Sequence, residues 1–198
     1  MSKSRLEAFS DGVIAIIITI MVLELKIPHE GNLAALQPLI PKFLSYILSF
    51  VFLGIYWNNH HHLCQVINHV NGTVLWANLH LLFWLSLIPF ATGWMGENNF
   101  STVPVALYGF VLWMCGLAYY ILVQALIKLH DTTSILVQAV GNKRKEMASL
   151  YIYTAAIPLA FVASWASTIL YAVVAIMWLA PDRRIEDKIA KSDSKHIN

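Results

Sequence analysis

The sequence predicts an all-α, polytopic integral membrane protein with six transmembrane helices. Of its 198 residues, 58% are hydrophobic and only 12% are charged, whereas an ordinary soluble domain has about 25% charged residues. The apolar residues fall into runs long enough to cross a bilayer core of about 30 Å. Composition and patterning together therefore favour one helical membrane domain.

Six apolar runs form the predicted spans. The first continues to Leu25 and is expected to be retained rather than cleaved as a signal peptide. Residues 147–180 make one run of 34 residues, too long for a single span at about 1.5 Å per residue unless it is strongly tilted. We divide this run near Ser164-Trp165, and five helices is the alternative. The predicted spans cover residues 9–27, 41–57, 74–95, 104–127, 147–163 and 164–180.

The distribution of lysine and arginine predicts the orientation. With the amino terminus in the cytoplasm, eleven of the thirteen Lys and Arg residues lie on the cytoplasmic side, and only Lys26 and Lys42 lie outside. Cytoplasmic loops of membrane proteins carry an excess of these residues. Both termini are therefore expected in the cytoplasm, which requires an even number of spans.

The cysteine, basic and aromatic residues indicate structural roles. Cys64, in a predicted cytoplasmic turn, and Cys115, in mid-membrane, fit neither a disulfide framework nor a zinc motif and are expected to be packing residues. The basic cluster at 143–145 is expected to anchor its loop at anionic lipid rather than bind nucleic acid. Aromatic residues predicted at the headgroup boundary are Trp57, Trp76, Trp94, Tyr108, Tyr151 and Trp178.

Polar residues in the first helix admit two interpretations. In one, Ser10 and Asp11 stabilise a helix amino terminus, and the following isoleucines face lipid. In the other, a rotation of about 100° per residue turns Asp11 about 140° away from Ile16 and into the protein. There Asp11 needs a partner, such as Arg5 or a histidine of the second helix. Residues within about 60° of one helix line are Phe9, Gly12, Ile16, Thr19, Ile20, Leu23 and Ile27.

Four groups of residues resemble a known family. The most specific is Arg5-x-x-x-Phe9-Ser10-Asp11 followed at once by an isoleucine-rich helix. The others are Trp57-x-x-His60-His61, Asn78 with Pro89-Phe90-x-Thr92, and Pro181-Asp182-Arg183-Arg184. Over nearly its whole length the chain resembles the endolysosomal transmembrane potassium channel family, in the single-unit form of its bacterial homologues.

This resemblance implies a potassium-permeable, modestly selective cation channel in the cell membrane of a prokaryote. Four six-helix units would form a homotetramer with one pore, lined by the first helices. Rings of apolar side chains would replace a carbonyl selectivity filter and block ions by dewetting. Carried over by distance from the Phe9-Ser10-Asp11 motif, these rings fall at Ile16, Ile20 and Leu23, with Thr19 as a hydroxyl ring.

The implied organisation is a channel domain over residues 1–181 and a charged cytoplasmic tail over residues 182–198. The expected partners are identical subunits and membrane lipid, with no nucleic acid. Potassium is the permeant ion, and no cofactor or resident metal is expected. A structural network is expected to include Arg5, Phe9, Ser10, Asp11, His60 and His61.

Several single-residue alternatives stay open at this point. Glu24 either adds a ring of carboxylates at the outer mouth, pairs with Lys26, or faces water. His60 and His61 either hold the motif, sense cytoplasmic pH, or contribute to a metal site. The metal site is disfavoured because consecutive residues on a helix diverge by about 100°.

Competing functions are a proton-conducting channel of the same fold, a secondary transporter and a membrane enzyme. Transporters commonly show internal repeats and intramembrane carboxylates, and no such pattern is visible in the sequence. No nucleophile, base and orienting group converge on one predicted helix face, so an enzyme is not predicted.

Three further residues are expected to have structural roles. His80 is expected to pack with a hydrogen bond, and Pro89 and Pro158 are expected to kink their helices.

Overall fold

The computed structural model describes residues 2–67, 69–129 and 144–179. The charged tail over residues 182–198 and Lys143 of the basic cluster lie outside the described residues. All regular elements within the described ranges are helical. They are α1 (Lys3–Leu23), a short 3-10 helix (Leu33–Leu39), α2 (Ile40–Val66), α3 (Gly72–Ser86), α4 (Ile88–Glu97), α5 (Thr102–Leu129), α6 (Arg144–Leu159) and α7 (Ser164–Leu179).

Four helical stretches of the described chain are long and apolar enough to cross a bilayer. They are α1, the stretch Leu33–Gln65, the stretch Gly72–Glu97 and α5. The protein is therefore a multi-pass membrane protein with an all-helical fold. Helices α6 and α7 have 16 residues each, which makes each about 24 Å long at 1.5 Å per residue, somewhat shorter than the bilayer core.

The predicted division near Ser164-Trp165 coincides with a tight turn between α6 and α7. Helix α6 ends at Leu159 and α7 begins at Ser164. The Ala163 N–H donates to the Leu159 carbonyl at 2.8 Å, and Ser167 Oγ donates to the Ala156 carbonyl at 2.8 Å. Pro158 lies in the last turn of α6, where it lacks an N–H to continue the helical bonds. The long apolar run is therefore a helical hairpin.

The third predicted segment is interrupted at Leu87, which separates α3 from α4. Pro89 has no N–H for the carbonyl of Leu85, and its ring conflicts sterically with that carbonyl. Leu87 instead donates to the Trp84 carbonyl at 3.2 Å, and Thr92 Oγ1 donates to the Ile88 carbonyl at 2.7 Å. The expected effect of Pro89 is thus confirmed as a break between two helices.

Helix α5 forms the centre of the bundle and packs against α3, α4, α6 and α7. At Gly109, an added Cβ would overlap the Tyr171 hydroxyl, so the missing side chain lets α7 approach α5. Tyr171 donates to the Val105 carbonyl at 3.3 Å. Tyr108 is fully buried and its hydroxyl lies 2.9 Å from Ser49 Oγ. Tyr108, predicted to lie at the headgroup boundary, thus packs inside the bundle, where this hydrogen bond satisfies its phenol.

The helix that contains the second predicted span extends beyond it. Helix α2 continues from Trp57 to Val66, so Cys64 lies on a helix and not in the predicted turn. Polar residues in this extension remain helical because side chains of α1 and α3 bond to them, as described below. Cys64 and Cys115 are both free and buried, which agrees with their predicted role in packing.

Candidate functional site

Helix α1 has one packed face and one exposed face. The packed face contacts α2, α3 and α4, and each of its side chains is at most 3% exposed. These side chains are Leu6, Ser10, Ile14, Ile17 and Met21. The opposite face presents Ile16, Ile20 and Leu23, which are 60%, 43% and 76% exposed. This apolar face has no packing partner within the described chain. It must therefore contact another apolar surface, face lipid or line a pore.

The exposed face also contains Phe9, Gly12 and Thr19. Thr19 Oγ1 donates to the Ala15 carbonyl at 2.9 Å, so its hydroxyl proton is bound by the helix and its lone pairs remain available. Ile27 does not belong to this face, because α1 ends at Leu23 and Glu24 forms its C-cap. The predicted line is therefore four residues too long.

A buried polar chain joins the packed face of α1 to α3 and α2. Asn78 Nδ2 donates to Ser10 Oγ at 2.9 Å, and Ser10 Oγ donates to the Leu6 carbonyl at 2.9 Å. Asn78 Oδ1 lies 2.8 Å from His60 Nε2, so Nε2 carries the proton and Nδ1 accepts. The Cys64 Sγ lies 3.7 Å from that Nδ1 and completes the chain as a weak donor.

These bonds exclude the capping interpretation of Ser10. Helix α1 begins at Lys3 with Ser2 at its N-cap, so Ser10 lies two turns inside the helix. Ser10, His60 and Asn78 are all at most 2% exposed. Each therefore needs its hydrogen bonds, because a buried polar group without a partner costs about 1–3 kcal/mol. The sequence had placed Ser10, His60 and Asn78 in separate motifs, and the fold brings them together.

A second polar contact runs along the outer edge of the α1–α2 pair. Trp57 Nε1 donates to Asp11 Oδ1 at 3.1 Å. The expected partners of Asp11 do not bond to it: Arg5 is exposed, and His61 Nδ1 lies 3.0 Å from Glu7 Oε1 instead. Trp57, predicted as a lipid anchor, is stacked on the ring of His61 with 6.0 Å between ring centroids.

The side chains along this edge form two stripes, one on each helix, in which the residues recur every four positions. Lys3, Glu7 and Asp11 recur every four residues on α1, and Trp57, His61 and Gln65 do so on α2. The helices are antiparallel here, so Lys3 Nζ donates to the Gln65 carbonyl at 3.1 Å at the far end of the stripe. Sequence reasoning missed Lys3, Glu7 and Gln65. The signal that could have revealed them is the matching spacing of polar residues on both helices.

The other end of α1 lies beside a group of ionic side chains. Glu97 Oε1 lies 3.3 Å from Lys26 Nζ and 3.1 Å from Lys42 Nζ. Lys26 therefore pairs with Glu97 and not with Glu24, which removes one of the three alternatives for Glu24. Beneath these charges, a groove of about 620 Å³ runs between α1 and α4, with Ile20 among its lining residues.

His60 and His61 engage different partners, Asn78 and Glu7, and are not directed at a common ion. Within residues 2–67, 69–129 and 144–179, no group of three His, Cys, Asp or Glu side chains is placed to hold a metal. His80 accepts a hydrogen bond from Trp84 Nε1 at 3.0 Å, as predicted for a packing residue.

Comparison with known proteins identifies the family. A family model described as endosomal/lysosomal potassium channel TMEM175 matches residues 5–89, from Arg5 of the first motif to the α3–α4 break. A potassium channel of Chryseobacterium sp. is 52% identical over 192 residues, which cover 97% of this chain and 100% of that protein. The chain belongs to the TMEM175 family.

A solved structure and a mammalian relative place the chain within the TMEM175 family. The crystal structure of a lysosomal potassium-selective channel TMEM175 homolog from Chamaesiphon minutus matches with a TM-score of 0.74 and 27% identity, covering 89% of this chain and 96% of that one. The endosomal/lysosomal proton channel TMEM175 of Rattus norvegicus is 30% identical over 184 residues, which cover 83% of this chain and 36% of that protein. The TMEM175 fold is thus matched over most of the chain.

Proposed function

We propose that this protein is a potassium-permeable, modestly selective cation channel and not an enzyme. The observation that carries the proposal is the exposed apolar face of α1, opposite a face that is fully packed. The relatives described as potassium channels, at up to 52% identity, support potassium as the permeant ion. The polar bonds at Ser10 and Asp11 fix the rotation of α1, and so determine which side chains remain exposed.

In this proposal four chains form a homotetramer, and their α1 helices surround one pore. Ile16, Ile20 and Leu23 then form three apolar rings over about 10 Å of helix at 1.5 Å per residue. A narrow ring of this kind excludes water and ions when closed, so no charged gate is required. Opening widens the rings enough for a partly hydrated cation to pass.

Selectivity in such a pore depends on the cost of removing water from the ion. Potassium binds its hydration shell less strongly than sodium, so a narrow apolar ring favours potassium modestly. The Thr19 hydroxyl donates to its own helix, which leaves its oxygen lone pairs to face a passing cation between the rings. Glu24 at the end of α1 would add a ring of carboxylates that concentrates cations at the outer mouth.

The proposed topology has six crossings, with both termini in the cytoplasm of a prokaryotic cell. Residues 1–181 form the channel domain, and residues 182–198 form a charged tail. Helices α6 and α7 serve as the fifth and sixth spans. Labelling of single cysteines introduced at Ser2 and Gly31, from each side of the cell membrane, tests the orientation. Reaction of both positions from the same side contradicts it.

The test of function is reconstitution of purified protein in liposomes. We expect potassium flux at rates beyond a carrier cycle and discrete current steps in planar bilayers. Saturable flux without current steps indicates a transporter and contradicts the proposal. A proton conductance is the second candidate, favoured by the description of the rat relative. A pH-sensitive dye inside liposomes without potassium distinguishes it, because a strict potassium channel gives no dye response.

A further inference from the structure

The outer end of α1 is held differently from the rest of the helix. Ile17 and Met21 are each 3% exposed, so packing against the bundle fixes the middle of α1. Met21 is the last such contact, because no side chain over residues 22–32 is buried. Leu23 therefore lies past the last buried position of α1, where packing constrains the helix less.

A salt bridge takes the place of packing at this end of α1. Lys26 follows Leu23 by three residues, and its Nζ lies 3.3 Å from Glu97 Oε1. Within the described part of the chain, this is the one polar contact between residues 24–31 and another helix of the bundle. Three residues of chain span at most about 11 Å, so fixing Lys26 also confines Leu23.

The carboxylate of Glu97 is itself fixed by a close contact between α4 and α2. An added Cβ at Gly96 would overlap Ser45 Oγ and lie 2.9 Å from Lys42 Cα, so the two helices touch at this glycine. Lys42 Nζ donates to Glu97 Oε1 at 3.1 Å, the same oxygen that Lys26 approaches. The Lys42 side chain is 20% exposed, compared with 76% for Lys26. One half of the bridge thus belongs to the packed bundle and the other half to the exposed segment.

We propose that Glu97 is a positioning residue for the outer constriction: by joining Lys26 to Lys42, it holds the outer end of α1, and with it Leu23, against the bundle. This inference rests on the proposed function, because Leu23 forms a constriction only in a pore lined by α1. Exposed ion pairs are weak and are screened by salt. The outer apolar ring is therefore the one whose position responds to charge and ionic strength.

The bridge is tested by hydrogen–deuterium exchange of the purified full-length protein in detergent. The Glu24 and Leu25 amides bond to the Ile20 and Val22 carbonyls, and they exchange when this turn opens. Glu97→Gln should speed their exchange about two- to fivefold, as the loss of an exposed ion pair predicts. About 1 M salt, where the screening length is about 3 Å, should do the same in the unaltered protein and add little in the variant. Unchanged exchange in Glu97→Gln overturns the proposal.

A charge reversal distinguishes the bridge from a general loss of charge. Lys26→Glu combined with Glu97→Lys keeps the number of charges of each sign and restores an ion pair between the same two positions. Exchange should then return to the unaltered rate, and a reversed pair that exchanges as fast as Glu97→Gln overturns the proposal. Glu30→Gln is the matched control, because its carboxylate accepts a hydrogen bond from the neighbouring Asn32. Equal acceleration in Glu30→Gln would mean that net charge matters and not the bridge.

Current through the reconstituted protein in planar bilayers tests the effect on the constriction. Glu97→Gln should change the open probability about two- to fivefold, and the reversed pair should restore it. Faster exchange without a change in current means that the bridge holds the segment but does not position Leu23, and overturns the positioning role. An unaltered protein that passes no current contradicts the channel proposal, whereas the exchange rates still decide whether Glu97 holds the end of α1.

Discussion

Trp57 on α2 donates its indole N–H to the Asp11 carboxylate on α1, with 3.1 Å between the two atoms. The ring of Trp57 is stacked on His61, which in turn contacts Glu7 one helical turn before Asp11. A residue expected to anchor the chain in lipid thus anchors the first helix to the second. This hydrogen bond gives the Asp11 carboxylate a partner without an arginine.

The Asp11–Trp57 bond should stabilise the protein. Trp57→Phe removes the donor but keeps an aromatic ring, and should lower the free energy of unfolding by about 1–2 kcal/mol. Trp76→Phe, at an exposed position on α3, is the control and should have little effect. In a double-mutant cycle with Asp11→Ala, the two losses should be less than additive. Strict additivity, measured by unfolding in detergent, would contradict an interaction between these residues.

Asp11 should affect assembly or gating more than selectivity, because its side chain bonds to α2 and not to the exposed face of α1. Asp11→Ala is therefore expected to reduce the tetramer population or the open probability, while the potassium-to-sodium permeability ratio stays unchanged. Size-exclusion chromatography with light scattering and bilayer recording measure these quantities. A change in selectivity alone would contradict the geometry.

The apolar rings should control discrimination between ions. Leu23→Ala should widen the constriction and Ile16→Asn should make it wetter, so both should alter potassium current and weaken discrimination against sodium. Leu44→Ala, at an exposed position on α2, is the matched control and should leave selectivity unchanged. Reversal potentials in bi-ionic solutions provide the measurement. Wild-type behaviour in both α1 variants would show that the pore assignment is wrong.

Asn78 should be the central residue of the buried polar chain. Asn78→Leu leaves the Nε2–H of His60 without a partner and should lower the free energy of unfolding by about 1–3 kcal/mol. Asn58→Leu is the control, because it makes the same substitution at an exposed position, one helical turn before His62. Equal unfolding temperatures for the two variants would argue against a structural role for the chain from Cys64 to Ser10.

Gly109 should be required for the approach of α7 to α5. Gly109→Ala places a methyl group on the Tyr171 hydroxyl and should destabilise the bundle by about 1–3 kcal/mol. Gly54→Ala is the control, because an added Cβ there has open space. It should stabilise α2 by about 0.5–1 kcal/mol, since glycine is unfavourable within a helix. A stabilising Gly109→Ala variant would show that α7 packs elsewhere.

Glu24 should increase potassium current by concentrating cations at the outer mouth. Glu24→Gln should reduce conductance at about 0.01 M salt, where the screening length is about 30 Å, and much less at about 1 M, where it is about 3 Å. Glu24→Asp retains the charge and should behave as the unaltered channel. A loss of conductance that does not depend on salt would indicate a structural effect instead.

The sequence by itself determined the membrane class, the positions of the apolar helices and the division of the last run. These follow from composition and from the length of the hydrophobic runs, which can be read along the chain without knowledge of its tertiary contacts. It also placed Ile16, Ile20 and Leu23 on one face, because helical rotation is fixed by backbone geometry. Membership in the TMEM175 family was visible in the spacing of Arg5, Phe9, Ser10 and Asp11.

Tertiary structure decided which polar groups meet. Nothing local in the sequence pairs Ser10 with Asn78, Asp11 with Trp57, or Lys26 with Glu97, because each pair joins helices whose relative rotation depends on the packing of the whole bundle. The same packing buried Tyr108 beside Ser49 and extended α2 past its apolar run. Hydrophobic pattern selects the face that a helix buries, and hydrogen bonding between helices then selects the partner.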